Sequence, residues 1–194
     1  MKGGLAPMTI YLIRHGETVA NRERIWGMDY PLTEKGFLQA MAVEPPDVSL
    51  VLTSNLIRAK QTAKAIYPEM AHTEDSVFRE IGFGVMENQK MVEGTRELMT
   101  YYHNPQRLHL EIEGAENIFE RAVDALRALL KYSEQETKGD IALVSHKSLM
   151  RAMISIIEDQ TLDHFLDNDI PNCGVVPVDT QDILKALILI DNNQ

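Results

Sequence analysis

The sequence predicts a three-layer α/β/α sandwich around a mostly parallel central sheet. Short apolar runs rich in β-formers alternate with segments of helical period, and that alternation builds parallel sheets covered by helices on both faces. Three of the runs also end abruptly in polar clusters: Arg14-His15-Gly16-Glu17, then Ser54 with Arg58 one helical turn later, then Ser145-His146. Open α/β sheets place their ligand sites at such carboxyl ends.

The elements follow in order. Residues 1–7 hold one Lys and no apolar stretch of useful length, so a loose tail is expected there and not a signal peptide. The apolar run from Thr9 to Ile13 is the first strand. Thr18 to about Arg24 reads as a short helix or turn. Thr33 is a helix N-cap for a segment running to about Val43, and Pro45-Pro46 ends it. Val48–Thr53 is the second buried strand. Ser54 then caps a helix from about Leu56 to Tyr67, with Leu56, Ala59, Ala63 and Ile66 on one face. Thr73–Phe78 reads as a short strand. Glu87–Leu110 is polar and weakly periodic, with one or two helices. Ala115–Ser133 is the clearest amphipathic helix, carrying Ile118, Ala122, Ala125, Leu126 and Leu129 on one stripe. Asp140–Ser145 is the third buried strand, and Lys147–Ile157 the helix after it. Gly174–Asp179 and Ile183–Asp191 read as two strands around a polar turn.

Bulk properties narrow the function. The 194 residues suit one domain with a sizeable core, read here as 1–194, with residues 84–112 as a lid or specificity insertion. A net charge of −10 argues against nonspecific binding to nucleic acid or to an anionic membrane. An anionic substrate would then need a local basic pocket. Cys173 is the only cysteine, which excludes an intrachain disulfide and a cysteine zinc site and suits a reducing, cytoplasmic setting. No run of about 18 apolar residues exists to span a bilayer. Composition leaves the oligomeric state open.

Parallel strands would bring the three polar ends together. The site would then hold two histidines, two arginines and helix N-termini, which favour anions. Guanidiniums repel a metal ion and bind phosphoryl oxygens bidentately, so no metal and no cofactor are expected. His15 can attack a phosphoryl group if its other ring nitrogen donates to a carbonyl. Arg14, Arg58 and His146 can stabilise the transferring group. A carboxylic acid must protonate the leaving alcohol and then activate water. Glu80, after the Thr73–Phe78 run, is the first choice and Glu17 the second. Substrate-binding roles are expected for Glu17, Ser145 and Lys147. Trp26 and Cys173 are read as packing residues. His72, His103, His109 and His164 are read as surface residues, with His103 as a possible lid contact.

These residues resemble the histidine phosphatase superfamily, the phosphoglycerate mutase-like branch, over most of the chain. The resemblance rests on Arg14-His15-Gly16-Glu17-Thr18 with Asn21, on Trp26-Gly27, Pro31-Leu32-Thr33 and Gly36, and on Ser54 to Ala63. It continues through Arg79-Glu80-Ile81-Gly82-Phe83-Gly84, Gly114-Ala115-Glu116 and Val144-Ser145-His146. It implies a phosphohistidine on His15, a phosphate pocket of Arg14, Arg58 and His146, Glu80 as acid and base, and Asn21 on the transferring phosphoryl. Three segments depart from the family's pattern: Lys147 stands for its usual Gly, Met86-Glu87-Asn88 for its Trp-Glu-Gly, and Gly114-Ala115-Glu116-Asn117 for its Gly-Gly-Glu-Ser.

The expected function is a metal-independent phosphomonoester hydrolase acting on a phosphorylated small molecule and releasing inorganic phosphate. The first rival is a cofactor-dependent phosphoglycerate mutase. The family's mutases resemble longer chains with an Arg-His-Tyr-Gly stretch after the acid, whereas Ile81-Gly82-Phe83-Gly84 is closer to the phosphatase branch. A rival of another class is an inactive phospho-ligand or protein-binding module, which the retention of His15, Arg14, Arg58, His146 and Glu80 disfavours. A protein phosphatase acting on a partner domain is the third.

Overall fold

A computed structural model describes residues 7–27, 29–91, 103–135 and 139–193. Five strands form one sheet: β1 (Thr9–Arg14), β2 (Leu50–Thr53), β3 (His72–Glu74), β4 (Ile141–Ser145) and β5 (Val175–Asp179). Their spatial order is β3-β2-β4-β1-β5. The first four run parallel; β5 lies antiparallel on the edge beside β1. An edge position tolerates Pro177, which has no N–H to donate. β4 is central and wholly buried, as its unbroken apolar run Ile141-Ala142-Leu143-Val144 requires.

Seven helices accompany the strands among the described residues: α1 (Val19–Glu23), α2 (Glu34–Met41), α3 (Ile57–Ile66), α4 (Leu108–Glu111), α5 (Ile118–Gln135), α6 (Lys147–Asp159) and α7 (Thr180–Asn192). Alternation along the strands splits the core into two. Ile10, Leu12, Leu52, Ile141 and Leu143 face α5, α6 and α7, where Leu126, Leu129, Leu149, Met150, Met153, Ile183 and Leu187 meet them. Ile13, Val51, Ala142 and Val144 face α2 and α3 through Ala40, Ala59, Ala63 and Ile66. The expected three-layer α/β/α architecture is therefore present.

Several expected elements differ. Ile183–Asp191 is helical, not a strand. Asp179 caps α7 by accepting the Gln181 N–H at 2.7 Å, and Ile183, Ala186, Leu187 and Ile190 are buried at helical spacing. A period of 3.6 outweighed the β-propensity of Ile and Leu. Ser54 is not the cap of α3: Leu56 holds that position, and Ser54 Oγ accepts the Leu56 N–H at 3.1 Å from within a turn. The Ile57 N–H is instead taken by Asp29 Oδ1 at 2.7 Å. The Thr73–Phe78 strand stops at Glu74. Asp75 Oδ1 then accepts the Val77 N–H and turns Ser76–Phe78 into a single 3₁₀ turn. Residues 1–6 of the expected tail and 92–102 of the expected lid lie outside the described residues. His72 and His109 are half-buried rather than on the surface.

The turn after β1 is pinned by a backbone-to-backbone contact with α2. Thr33 N–H donates to the Glu17 carbonyl at 2.8 Å, and Gly36 passes directly over that peptide. A Cβ on Gly36 would overlap the Glu17 carbonyl oxygen, and one on Gly16 would lie 2.5 Å from the Gly36 carbonyl. Gly36→Ala is therefore expected to cost about 1–3 kcal/mol through overpacking. Gly139→Ala, whose Cβ would meet Ser49 at an ordinary 3.6 Å, should stay within about 0.5 kcal/mol of the parent. Urea unfolding of both variants measures the contrast, and equal midpoints would show that the contact can relax.

Candidate active site

The Arg14↔Ser145 pairing of β1 with β4 sets the site. The residue after each is a histidine, and the two imidazole centroids lie 5.2 Å apart. The His15 N–H donates to the Ser145 carbonyl at 3.0 Å, and the Gly16 N–H to Thr62 Oγ1 of α3 at 3.0 Å. Both histidines are buried, at 3% and 0% exposure.

The ring nitrogens can be assigned from their partners. His15 Nδ1 lies 2.7 Å from the Gly16 carbonyl, which can only accept. Nδ1 therefore carries the proton and Nε2 the lone pair. His15 lines an open cleft of about 120 Å³, together with Arg14, Asn21, Arg58, Glu80 and Lys147. Burial, then the Arg58 and Arg14 charges, hold its pKa well below the ordinary histidine value. The imidazole is neutral at neutral pH.

Arg58 enters from the first turn of α3. Its Nε donates to His146 Nδ1 at 3.1 Å, and its NH1 lies 3.8 Å from Asp29. His146 therefore carries its proton on Nε2, which donates to Ser54 Oγ at 2.8 Å. Both ring nitrogens are committed to protein groups, so His146 holds Arg58 in place. Burial and the Arg58 charge keep it neutral as well. Arg14 is held by the loop between α6 and β5: its NH1 donates to the Ile170 carbonyl at 2.6 Å.

Glu80 reaches across to the start of α6. Its Oε1 accepts the Ile81 and Leu149 N–H groups at 3.0 and 3.1 Å, and its Oε2 accepts the Ser148 N–H at 3.2 Å. Oε1 has both lone pairs engaged; Oε2 keeps one. Behind it, Glu116 ties the segment down by accepting the Gly82 N–H at 2.6 Å and pairing with Arg79 and Arg121.

The remaining expected site residues divide. Asn21 lines the cleft. Its Oδ1 accepts from Thr18 N–H and Asn172, so its amide nitrogen is the donor left over. Lys147, the first residue of α6, lines the cleft too and pairs with Asp169 at 2.5 Å. Glu17 turns away towards α2, where it accepts from Thr33 Oγ1 and Lys35 at 3.0 and 2.7 Å. The Lys35 ammonium holds its carboxyl below the usual range. Ser145 lies beneath the site, with Oγ donating to the Phe78 carbonyl at 2.8 Å.

The sequence reading missed the loop that braces the strand ends. Asn172 Nδ2 donates to the His15 carbonyl at 3.0 Å, and Cys173 N–H to the Arg14 carbonyl at 3.0 Å. Cys173 adopts a left-handed φ of 60° to make that contact, and burial pushes its thiol up to about 11. The Asn168-Asp169-Ile170-Pro171-Asn172 string was a loop signal, but nothing in it named the partner. Trp26 packs on Phe83, with centroids 5.2 Å apart, and both line the cleft.

Residues 10–193 match the sequence model of the histidine phosphatase superfamily, branch 1. The chain belongs to that superfamily. It is 32% identical over 189 residues to a protein named probable phosphoglycerate mutase GpmB from Salmonella arizonae, covering 90% of this chain and 86% of the relative. The fold is similar to that of a Bacillus stearothermophilus protein, YhfR, with a TM-score of 0.75, 26% identity, and 88% and 90% of the two chains covered. It is also similar to a phosphoserine phosphatase from Entamoeba histolytica, with a TM-score of 0.76, 22% identity, and 88% and 89% covered. Among the described residues, no helix is long and apolar enough to cross a membrane.

The two buried imidazoles of this superfamily member make its stability depend on pH with a defined sign. Their folded pKa values lie below the ordinary 6.5. Between the two values the unfolded chain binds protons that the native state does not, so stability rises with pH there. The contribution is complete above about pH 6.5 and is lost as pH falls below it, by up to about 1.4 kcal/mol per unit for each group. Urea midpoints at about pH 7.5 and about pH 5 should therefore converge more in His146→Gln than in the parent. Equal slopes would mean that His146 is protonated in the native state.

Proposed function

We propose that the protein is a phosphomonoester hydrolase that works through a phosphohistidine on His15. The observation that carries this reading is the state of His15: neutral, locked by Gly16 at Nδ1, with its Nε2 lone pair on a cleft shared with two arginines. Arg14, Arg58 and the Asn21 amide would hold the phosphoryl oxygens, with guanidinium forks matching their geometry. Nε2 attacks phosphorus, the bond to the ester oxygen breaks, and Glu80 supplies the proton that the leaving alkoxide needs. The Gly16 carbonyl accepts from Nδ1–H throughout and stabilises the positive ring that forms. Glu80 then takes a proton from water, which attacks the phosphoryl group and releases inorganic phosphate and neutral His15. His146 acts through Arg58. No metal or cofactor enters any of these steps, and a cytoplasmic setting suits the single cysteine.

The name of the Salmonella relative favours a second reading, a mutase that returns the phosphoryl group to another alcohol. The Ile81-Gly82-Phe83-Gly84 segment, which resembles the phosphatase branch, supports hydrolysis. Trapping separates the readings. The parent should give an acid-labile, base-stable phosphoenzyme and release free phosphate as the dominant product. His15→Ala should give neither. Isomerised phosphoglycerate appearing faster than free phosphate would overturn hydrolysis, and labelling of His15→Ala would overturn the nucleophile.

Glu80 is tested by leaving group. Glu80→Gln should slow alkyl phosphates by about 10²–10⁴-fold. It should slow formation of the phosphoenzyme from p-nitrophenyl phosphate far less, because that phenolate leaves without a proton. Phosphoenzyme should accumulate with the activated ester, since the second step still needs a base. Equal loss on both esters would move the proton to another group.

A further inference from the structure

The cleft wall carries more positive charge than one phosphoryl group uses. Arg14, Arg58 and Lys147 all line it, and Glu80 is the one acidic residue on the wall among the described residues. This is a local concentration in a chain of net charge −10. Arg14 and Arg58 are 9% and 5% exposed, so they sit deep beside His15. Lys147 is different. It is the first residue of α6, next in sequence to Ser148, whose N–H holds Glu80. Its ammonium also lies within reach of the Arg14 charge, so it borders the phosphoryl-binding pocket as well as the Glu80 end of the cleft.

Lys147 is also restrained in a releasable way. Its Nζ pairs with Asp169 Oδ1 at 2.5 Å, and the same oxygen lies 3.3 Å from Arg151. The Lys147 side chain is 29% exposed and that of Asp169 is 78% exposed. Arg151 is fastened separately, with Nε donating to the Asn168 carbonyl at 2.7 Å. Asp169 therefore keeps one cation if Lys147 swings away. An ion pair with so exposed a partner is weak, and a substrate anion entering the cleft can displace it. The cleft is also lined by the apolar Ala20, Ile25, Trp26, Phe83 and Met91. These side chains can cover a short carbon skeleton but offer no charge.

We infer that Lys147 is a specificity-determining residue that selects phosphomonoesters bearing a second anionic group, a carboxylate or a phosphate, a short carbon chain away from the ester oxygen. The inference rests on the hydrolase reading above. Asp169 holds Lys147, and the substrate's distal anion takes its place. A neutral or cationic leaving group leaves Lys147 on Asp169 and gains nothing from it.

Matched esters test this. 3-(Phosphooxy)propanoate is compared with 3-hydroxypropyl phosphate for the carboxylate, and propane-1,3-diyl bisphosphate with the same monophosphate for the phosphate. The parent should favour the doubly anionic member by about tenfold in kcat/KM, mostly through KM. Lys147→Met keeps the aliphatic stem and should bring that ratio to about one. Asp169→Asn, at an exposed position away from the reacting atoms, should raise the ratio above the parent's. A role for Lys147 in folding alone would move both members of each pair together and leave the ratio unchanged. An unchanged ratio in Lys147→Met, with p-nitrophenyl phosphate still hydrolysed, overturns the inference and leaves the hydrolase reading standing. If the parent hydrolyses p-nitrophenyl phosphate but none of these esters, the inference alone falls; if it hydrolyses neither, both fall. Which of the two pairs responds tells carboxylate from phosphate.

Discussion

In the centre of the sheet Arg14 pairs with Ser145, and each strand's next residue is a histidine. Everything in the site depends on that register. A shift by one residue would turn His15 or His146 to the other face, because side chains alternate along a strand. The register is held from both sides. β4 is buried between two parallel neighbours, and its alternate residues feed two separate cores. Slippage would expose Leu143 and Leu12 as surely as it would misplace the imidazoles. The hydrophobic core and the polar site are thus fixed by one constraint.

Burial then determines what the polar groups become. Burial of the two imidazoles beside two guanidiniums leaves the rings neutral. The arginines cannot lose their protons, so the imidazoles do. The Gly16 carbonyl next decides which nitrogen of His15 keeps a proton, and Arg58 decides it for His146. A nucleophile and a positioning residue emerge from the same side chain at the same kind of strand end. The difference lies in which donor or acceptor each ring meets.

The helix N-terminus of α6 ties acid to site. Its unsatisfied Ser148 and Leu149 N–H groups draw in the Glu80 carboxylate, as helix termini do with anions. Glu80 arrives on an irregular segment with no strand or helix to aim it. The Glu116 contacts to Gly82, Arg79 and Arg121 provide that aim. The α6–β5 loop does the same for the first strand end, through Ile170, Asn172 and Cys173.

The sequence by itself determined the layers, the four parallel strands and the residues that meet at their ends. Those are local matters: apolar runs, helical spacing, a cap such as Thr33, and a motif string spanning few residues. It misread Ile183–Asp191 because a β-branched, leucine-rich run satisfies both periods in short stretches. It could not show that Glu17, which shares the motif with His15, turns away to bind Thr33 and Lys35. It could not see that Ser54 partners His146, 92 residues away, or that Asn172 reaches His15 across 157. Tautomers, ion-pair partners and the choice of which carboxylate faces the cleft are pairings between distant segments. They exist only once the sheet register brings those segments within hydrogen-bond reach, and no local pattern encodes them.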